Sequence, residues 1–252
     1  MSTNGRRRTV LFDLDGTLLP VEMGFFFKHY MNALARAFAD KMTREAFEKA
    51  LLGATHETIN NLDPSVGNLK AFADAFTRRS GLDWDDVWPT IQRYYIEDYP
   101  SLRQHVPADD VALSVVRHCV ESGWDVVLAT QPLFPEIAVR ERMGWCGVDS
   151  LPWRFISTIE NMHFCKPHLA YYREVLEKAG LRPDECIMIG NNMQEDMVAR
   201  KLGMKTFLVE DHLIDSGEDL APDGRGRLTD VPAFLDRNHL AGDEGVEAGA
   251  RK

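Results

Sequence analysis

Residues Thr9 to Leu19 read TVLFDLDGTLL. Thr9, Val10, Leu11 and Phe12 make a short apolar run of the kind that forms a buried strand in a parallel sheet. The run leads directly into Asp13-Leu14-Asp15-Gly16-Thr17. Asp-Gly is a common turn signal, and a simple turn would leave the second carboxylate and the threonine incidental. Two carboxylates at the end of a buried strand are costly unless a cation meets them. The carboxyl end of such a strand is also where open α/β sheets carry their sites. A metal and phosphate site accounts for both aspartates.

The whole chain bounds what that site can serve. It has 252 residues, 44% hydrophobic and 27% charged, which suits one large globular domain or a core with a smaller companion. The net charge of -10 argues against a nucleic-acid binder, which carries a basic face. Arg6-Arg7-Arg8 is the only basic cluster and is expected to be a solvated end. Cys119, Cys146, Cys165 and Cys186 contain no C-x-x-C pair, so neither a zinc site nor a disulfide framework is indicated and a reducing cytoplasm is expected. No apolar stretch approaches the ~18 residues of a membrane span. Asp13 and Asp15 interrupt the only candidate for a signal-peptide apolar region.

After Leu19-Pro20 the pattern turns helical. Glu22 to Asp40 carries Phe25, Phe26, Tyr30, Leu34, Ala37 and Phe38 at helical spacing. Thr43 can cap a second helix through about Leu52, ended by Gly53. A third is expected around Asn68 to Ser80, with Gly81 as its stop, and Asp83 can cap a fourth. No strand is expected between Val21 and about Pro107. From there helix and strand alternate: helix Ala108 to Ser122, strand Trp124 to Ala129, helix Glu136 to Met143, strand Arg154 to Ser157, a helix starting at Pro167, strand Glu185 to Ile189, helix Met193 to Leu202, strand Lys205 to Val209. Such alternation predicts an α/β fold with a parallel sheet, helices on both faces and right-handed crossovers. The organisation expected is a core of residues 1–20 and 106–240, a helical block of residues 21–105 inserted into it, and a disordered tail of residues 241–252.

Polar residues recur where these strands end. Asp13 and Asp15 follow the first, Thr130 follows Val126 to Ala129, Lys166 lies in the loop after the Arg154 strand, and Gly190-Asn191-Asn192-Met193-Gln194-Glu195-Asp196 follows Ile187 to Ile189. Taken singly, Thr130 suits a helix cap, Lys166 the surface, and Glu195 and Asp196 the first turn of a helix. In a parallel sheet all these strand ends share one edge, so the groups can converge.

DLDGT, then Thr130, then Lys166 before a helix, then the G-N-x-x-x-E-D run together resemble the four-motif pattern of the haloacid dehalogenase superfamily, over about residues 8 to 210. The resemblance implies a Rossmann-like core under a mobile helical cap (residues 21–105) and magnesium-dependent hydrolysis of small phosphorylated metabolites. It makes Asp13 the nucleophile that forms an aspartyl-phosphate and Asp15 the general acid and base. Thr130 and Lys166 are then substrate-binding, with the adjacent Gln131 grouped beside them. It assigns Mg²⁺ to the Asp13 side chain, the Asp15 carbonyl and an acid of the fourth motif, a hard-oxygen set that Mg²⁺ accepts with its waters. Asp196 is preferred to Glu195 because family members more often use Asp; neighbouring helical residues diverge by ~100° and one of the two faces the metal. Asn191 stands where the family often has Asp, so it can ligate through oxygen but brings no charge. True dehalogenases lack an acid at the position of Asp15, because a halide leaves without protonation. The reading is a phosphatase; a phosphomutase of the same superfamily or a non-catalytic phosphometabolite binder are its alternatives, with a dehalogenase behind them.

Other motifs fail. There is no G-x-x-x-x-G-K-[ST] loop, Gly224-Arg225-Gly226 lacks the setting of a dinucleotide fingerprint, and His56-Glu57-Thr58-Ile59-Asn60 lacks the second histidine of a zinc-protease helix. Phe25-Phe26-Phe27 is expected to pack within the cap, and Lys28, His29, Arg78 and Arg79 to face water.

Overall fold

The computed structural model describes residues 8–215, 217 and 220–238. The expected tail at 241–252, with Arg6 and Arg7, lies outside them. Among the described residues, β1 (Thr9–Phe12), β2 (Asp125–Leu128), β3 (Trp153–Ile156), β4 (Cys186–Gly190), β5 (Lys205–Val209) and β6 (Gly224–Gly226) form one parallel sheet in the order β3-β2-β1-β4-β5-β6. This is the expected α/β fold with a Rossmann-like sheet. β1 lies at its centre, with Phe12 level with Leu128 of β2 and Ile189 of β4. Period-two alternation of apolar residues divides the strands between two cores. Val10, Phe12, Val126, Leu128, Ile187 and Ile189 face one. Leu11, Val127, Ala129, Cys186 and Met188 face the other.

Four helices stand between β1 and β2 in sequence before the core helices begin: α1 (Met23–Ala37), α2 (Arg44–Ile59), α3 (Asn68–Ser80) and α4 (Trp84–Glu97), followed by a 3-10 segment at Tyr99–His105. Glu22 caps α1, accepting from the amides of Gly24 and Phe25, and Thr43 and Asp83 cap α2 and α4. The core helices are α5 (Val111–Glu121), α6 (Glu136–Trp145), α7 (Leu169–Ala179) and α8 (Val231–Arg237). Phe26, Tyr30 and Tyr99 from the inserted segment join Trp145 and the sheet face in one continuous apolar core. No helix among the described residues is long and apolar enough to cross a membrane.

Several local expectations need correction. Gly53 does not end α2, which continues to Ile59; the Arg79 guanidinium of α3 occupies the space a side chain on Gly53 would take. Met193 to Leu202 is not an α-helix but a set of turns leading into a 3-10 helix at Met197–Leu202. There the Asn192 side-chain oxygen accepts from the amides of Gln194 and Glu195, and the Asp196 carboxylate accepts from the Asn192 amide. Asn192 thus caps a turn, and the chain beyond it tightens into the 3-10 form. Pro167 precedes α7 rather than opening it, because the chain through Lys166 is tied to Gln131. β6, a Gly-Arg-Gly edge strand, has no apolar signature and was not expected. Arg8 is not solvated: it donates to the Ser122 carbonyl and lies 4.7 Å above the Trp124 ring. Of the three phenylalanines only Phe26 packs inside, against Trp145, while Phe25 and Phe27 are exposed. Arg78 and Arg79 are exposed as expected and pair there with Glu57, while His29 stacks on His105.

The start of α3 is pinned to the core loops. Asn68 is fully buried; its amide donates to the Met162 carbonyl at 2.8 Å, and its side chain to the carbonyls of Pro132 and Phe164 at 3.2 and 3.4 Å. Replacing Asn68 with Ala leaves those buried carbonyls unpaired and is expected to cost ~1–3 kcal/mol, read as a lowered urea midpoint.

Candidate active site

Strand pairing carries β1 one residue past its end, since the Asp13 amide donates to the Ile189 carbonyl at 2.9 Å. The chain then turns sharply. The amides of Thr17 and Leu19 both donate to the Leu14 carbonyl, and the Gly16 amide to that of Leu19. Gly16 has φ of +82° and lies so close to the Asn191 side chain that a Cβ there would collide with it. Glycine is required for both reasons.

Thr17 and Asn191 hold the turn from opposite sides. The Thr17 hydroxyl donates to Asn191 Oδ1 at 3.1 Å and lies 3.3 Å from Asp13 Oδ2. Asn191 in turn donates to the His212 carbonyl at 2.6 Å. Its side chain is thus engaged in bracing the loop.

Lys166 is the hub. Its fully buried ammonium lies 2.8 Å from Asp13 Oδ1 and 2.6 Å from Asp196 Oδ1. Both carboxylates are buried as well. Its backbone is clamped by Gln131, which accepts from the Lys166 amide at 3.0 Å and donates to the Lys166 carbonyl at 3.1 Å. The Gln131 side chain thus positions the Lys166 backbone. Asp196 folds back into space that Gly190, with no side chain, leaves open. Glu195 is only half-buried, and its carbonyl accepts from Tyr172. Thr130 is buried at the end of β2, its carbonyl accepting from Ser157 and Tyr171 at 2.8 Å each.

One residue of the site escaped the sequence reading. Arg142, on α6 and fully buried, places Nη1 2.7 Å from Asp15 Oδ2. It belongs to an otherwise ordinary amphipathic stretch, and only its place among the apolar residues Ala138, Val139 and Met143 could have marked it.

Burial and charge act against each other throughout. Desolvation works against the Lys166 ammonium, yet Asp13 and Asp196 hold it well above its ordinary value. Burial pushes Asp196 up to about 7, with Lys166 opposing and Asp13 assisting. Burial also raises Asp15, against the pull of Arg142. The four cysteines are free and buried, and burial pushes each thiol up to about 12, so none is poised as a nucleophile.

The donor set suits a hard divalent cation. Among the described residues no three acidic, histidine or cysteine side chains form a ready cage, but Mg²⁺ takes one or two carboxylates and keeps its waters. Asp13 and Asp196 converge through Lys166, which brings carboxylate oxygens from the end of β1 and the loop after β4 to one point, the oxygen donors such a cation takes.

The sequence matches the haloacid dehalogenase-like hydrolase family over residues 7–203. It is 27% identical over 219 residues to a phosphoglycolate phosphatase of Xylella fastidiosa, covering 82% of both chains. It is 22% identical over 203 residues to the pyrophosphatase PpaX of Anoxybacillus flavithermus, covering 79% of this chain and 81% of the relative. Among solved structures, a HAD phosphatase from Thermococcus onnurineus aligns with a TM-score of 0.55 at 17% identity, covering 90% of this chain and 97% of that one. An L-2-haloacid dehalogenase from Xanthobacter autotrophicus aligns equally well, with a TM-score of 0.56 at 13% identity, covering 92% and 100%.

The raised Asp196 carboxyl sets a sign for stability against pH. A carboxyl whose folded value exceeds its unfolded value of 3.8 binds its proton more tightly when folded. Its contribution is complete below 3.8 and is lost as the pH rises through about 7. In the metal-free protein, Asp196→Asn is expected to flatten the fall in stability between those limits, measured by urea unfolding across the range.

Proposed function

The chain belongs to the haloacid dehalogenase-like hydrolases, and from that premise we propose that it is a magnesium-dependent phosphatase acting on small phosphate monoesters through an aspartyl-phosphate on Asp13. The observation that carries the reading is a carboxylate at the end of the central strand, held 2.8 Å from a buried ammonium, with a second acid two residues on. A dehalogenase has no use for that second acid, since a halide needs no proton. The equal likeness of the fold to phosphatases and dehalogenases does not separate them; Asp15 does.

Each residue has a definite task. Lys166 neutralises Asp13 enough for a phosphate dianion to approach and, with Thr130, holds the transferring phosphoryl oxygens. The Asp13 carboxylate attacks phosphorus, and Asp15 gives its proton to the departing alkoxide. Asp15 then takes a proton from the water that attacks the aspartyl-phosphate, and phosphate leaves. Mg²⁺, held by the Asp13 and Asp196 carboxylates and the Asp15 carbonyl, supplies charge neutralisation to the phosphoryl group when bound. Asn191 serves it at most from the rim, because its side chain braces Thr17 and His212. Its neutrality limits the repulsion that an incoming phosphate meets.

Relatives named for phosphoglycolate and for pyrophosphate make small substrates with a second anionic group the first to test. The buried, free thiols suit a cytoplasmic setting.

A screen for phosphate release from small phosphate esters tests the proposal. Asp13→Asn is expected to lower turnover at least ~1,000-fold, as loss of a covalent nucleophile does. EDTA is expected to abolish activity and Mg²⁺ to restore it. Binding without turnover by the wild type would favour the binder, and a phospho-isomer in place of free phosphate would favour the mutase.

A further inference from the structure

The DLDGT turn fixes the backbone of Asp15 but not its carboxylate. Among the described residues, the only side chain hydrogen-bonded to that carboxylate is Arg142, through Nη1 to Oδ2 at 2.7 Å. Asp15 Oδ1 is buried and without a partner among the described residues. The two oxygens of this acid are therefore unlike: one is tied, the other is open.

Arg142 is itself held rigidly. Its Nε donates to the Ala138 carbonyl one turn earlier on α6, at 3.3 Å. Its guanidinium carbon lies 4.1 Å above the centre of the Phe134 ring, within cation–π range. Phe134 in turn packs edge-on against Tyr30 of α1, at 5.4 Å between ring centres. Tyr30 shares a 2.8 Å hydrogen bond with Tyr95 of α4 and meets Tyr99 edge-on. Arg142 has no exposed surface, and its Nη2 has no partner among the described residues. A fully buried guanidinium set between an aromatic face and an acid is an expensive way to stabilise a fold, since apolar residues of similar size can do as well. It is a good way to hold one carboxylate in one orientation.

We propose that Arg142 is the positioning residue for the general acid, holding Asp15 Oδ2 so that Oδ1 alone handles the proton. This rests on the phosphatase reading given above. In the first step the Asp13–phosphorus bond forms, the bond from phosphorus to the leaving oxygen breaks with its electron pair, and that oxygen takes the proton from Asp15 Oδ1. In the second, water oxygen bonds to phosphorus, the Asp13–phosphorus bond breaks, and the proton of the water passes to Oδ1. Arg142 touches neither substrate nor nucleophile; it acts through Asp15.

The test exploits leaving groups. p-Nitrophenolate departs without a proton, whereas an alkoxide needs one. The readout is the ratio of kcat/KM on p-nitrophenyl phosphate to that on the best alkyl phosphate of the screen, measured on one protein sample so that the folded fraction cancels. Arg142→Met is expected to raise this ratio at least ~10-fold, within the range that general acid catalysis can contribute. Arg142→Lys should raise it less. Asp15→Asn should raise it as well, and adding Arg142→Met to Asp15→Asn should change it no further, because the two act as a unit. The exposed Arg140, on the same helix as Arg142 and bound to Glu136 and to Asp149 beyond the helix end, is the control, and Arg140→Met should leave the ratio unchanged. An unchanged ratio in Arg142→Met, or additive effects in the double variant, overturns the inference while the phosphatase reading stands. If Arg142→Met does not fold, an unchanged ratio in Arg142→Lys overturns it equally. A wild type that hydrolyses no phosphate ester overturns the reading and the inference with it.

Discussion

A buried ammonium between two carboxylates is the constraint from which the rest of this structure follows. Lys166 has no exposed surface, and a buried ammonium is costly unless carboxylates meet it, as Asp13 and Asp196 do here. Bringing the three together requires that the end of β1, the loop after β4 and the loop before α7 meet at one point. A parallel sheet with β1 in the middle achieves this, because its neighbours β2 and β4 end level with it. The side chains around the trio then serve mostly to keep it in place. Gln131 clamps the Lys166 backbone, Asn191 and Thr17 brace the turn, and Gly16 and Gly190 leave room for the neighbouring side chains.

The helices between β1 and α5 pack against the residues around Arg142. Tyr30 packs on Phe134, Tyr95 and Tyr99 pack on Tyr30, and the same apolar core runs from them to the face of the sheet. Burial raises the hydroxyls of all three tyrosines, Tyr30 to about 12, so they stay neutral neighbours of the Asp15–Arg142 pair. With the guanidinium buried and the carboxylate mostly so, the pair sits where a hydrogen bond is stronger than in water.

The fold alone does not choose the chemistry. Solved phosphatases and dehalogenases align with this chain equally well at low identity. What separates the proposed phosphoryl transfer from halide displacement is a single carboxylate at position 15 and the means of aiming it. This is the ordinary relation between a widely used scaffold and the reaction grafted onto it.

Much of this was legible in the residues themselves. The TVLF run, the alternation of helix and strand after Pro107, the caps at Thr43 and Asp83, and the placing of Asp13, Asp15, Thr130, Lys166 and Asp196 at strand ends are local patterns with local causes. Period-two burial, capping and turn chemistry act over a few residues, so a sequence displays them directly. What tertiary structure alone decided lies at longer range. Arg142 is 127 positions from Asp15, and nothing near it in the chain marks it as a partner. Nothing near Gln131 shows that its side chain clamps the Lys166 backbone 35 positions away, and Gly53 looked like a helix end until Arg79 packed over it. Met193 to Leu202 carried a helical pattern, but the chain there turns about the side chains of Asn192 and Asp196 before a short 3-10 helix. In each case the deciding contact costs desolvation and is repaid by a partner distant in sequence or by a competing side chain, and only the folded chain brings the two together.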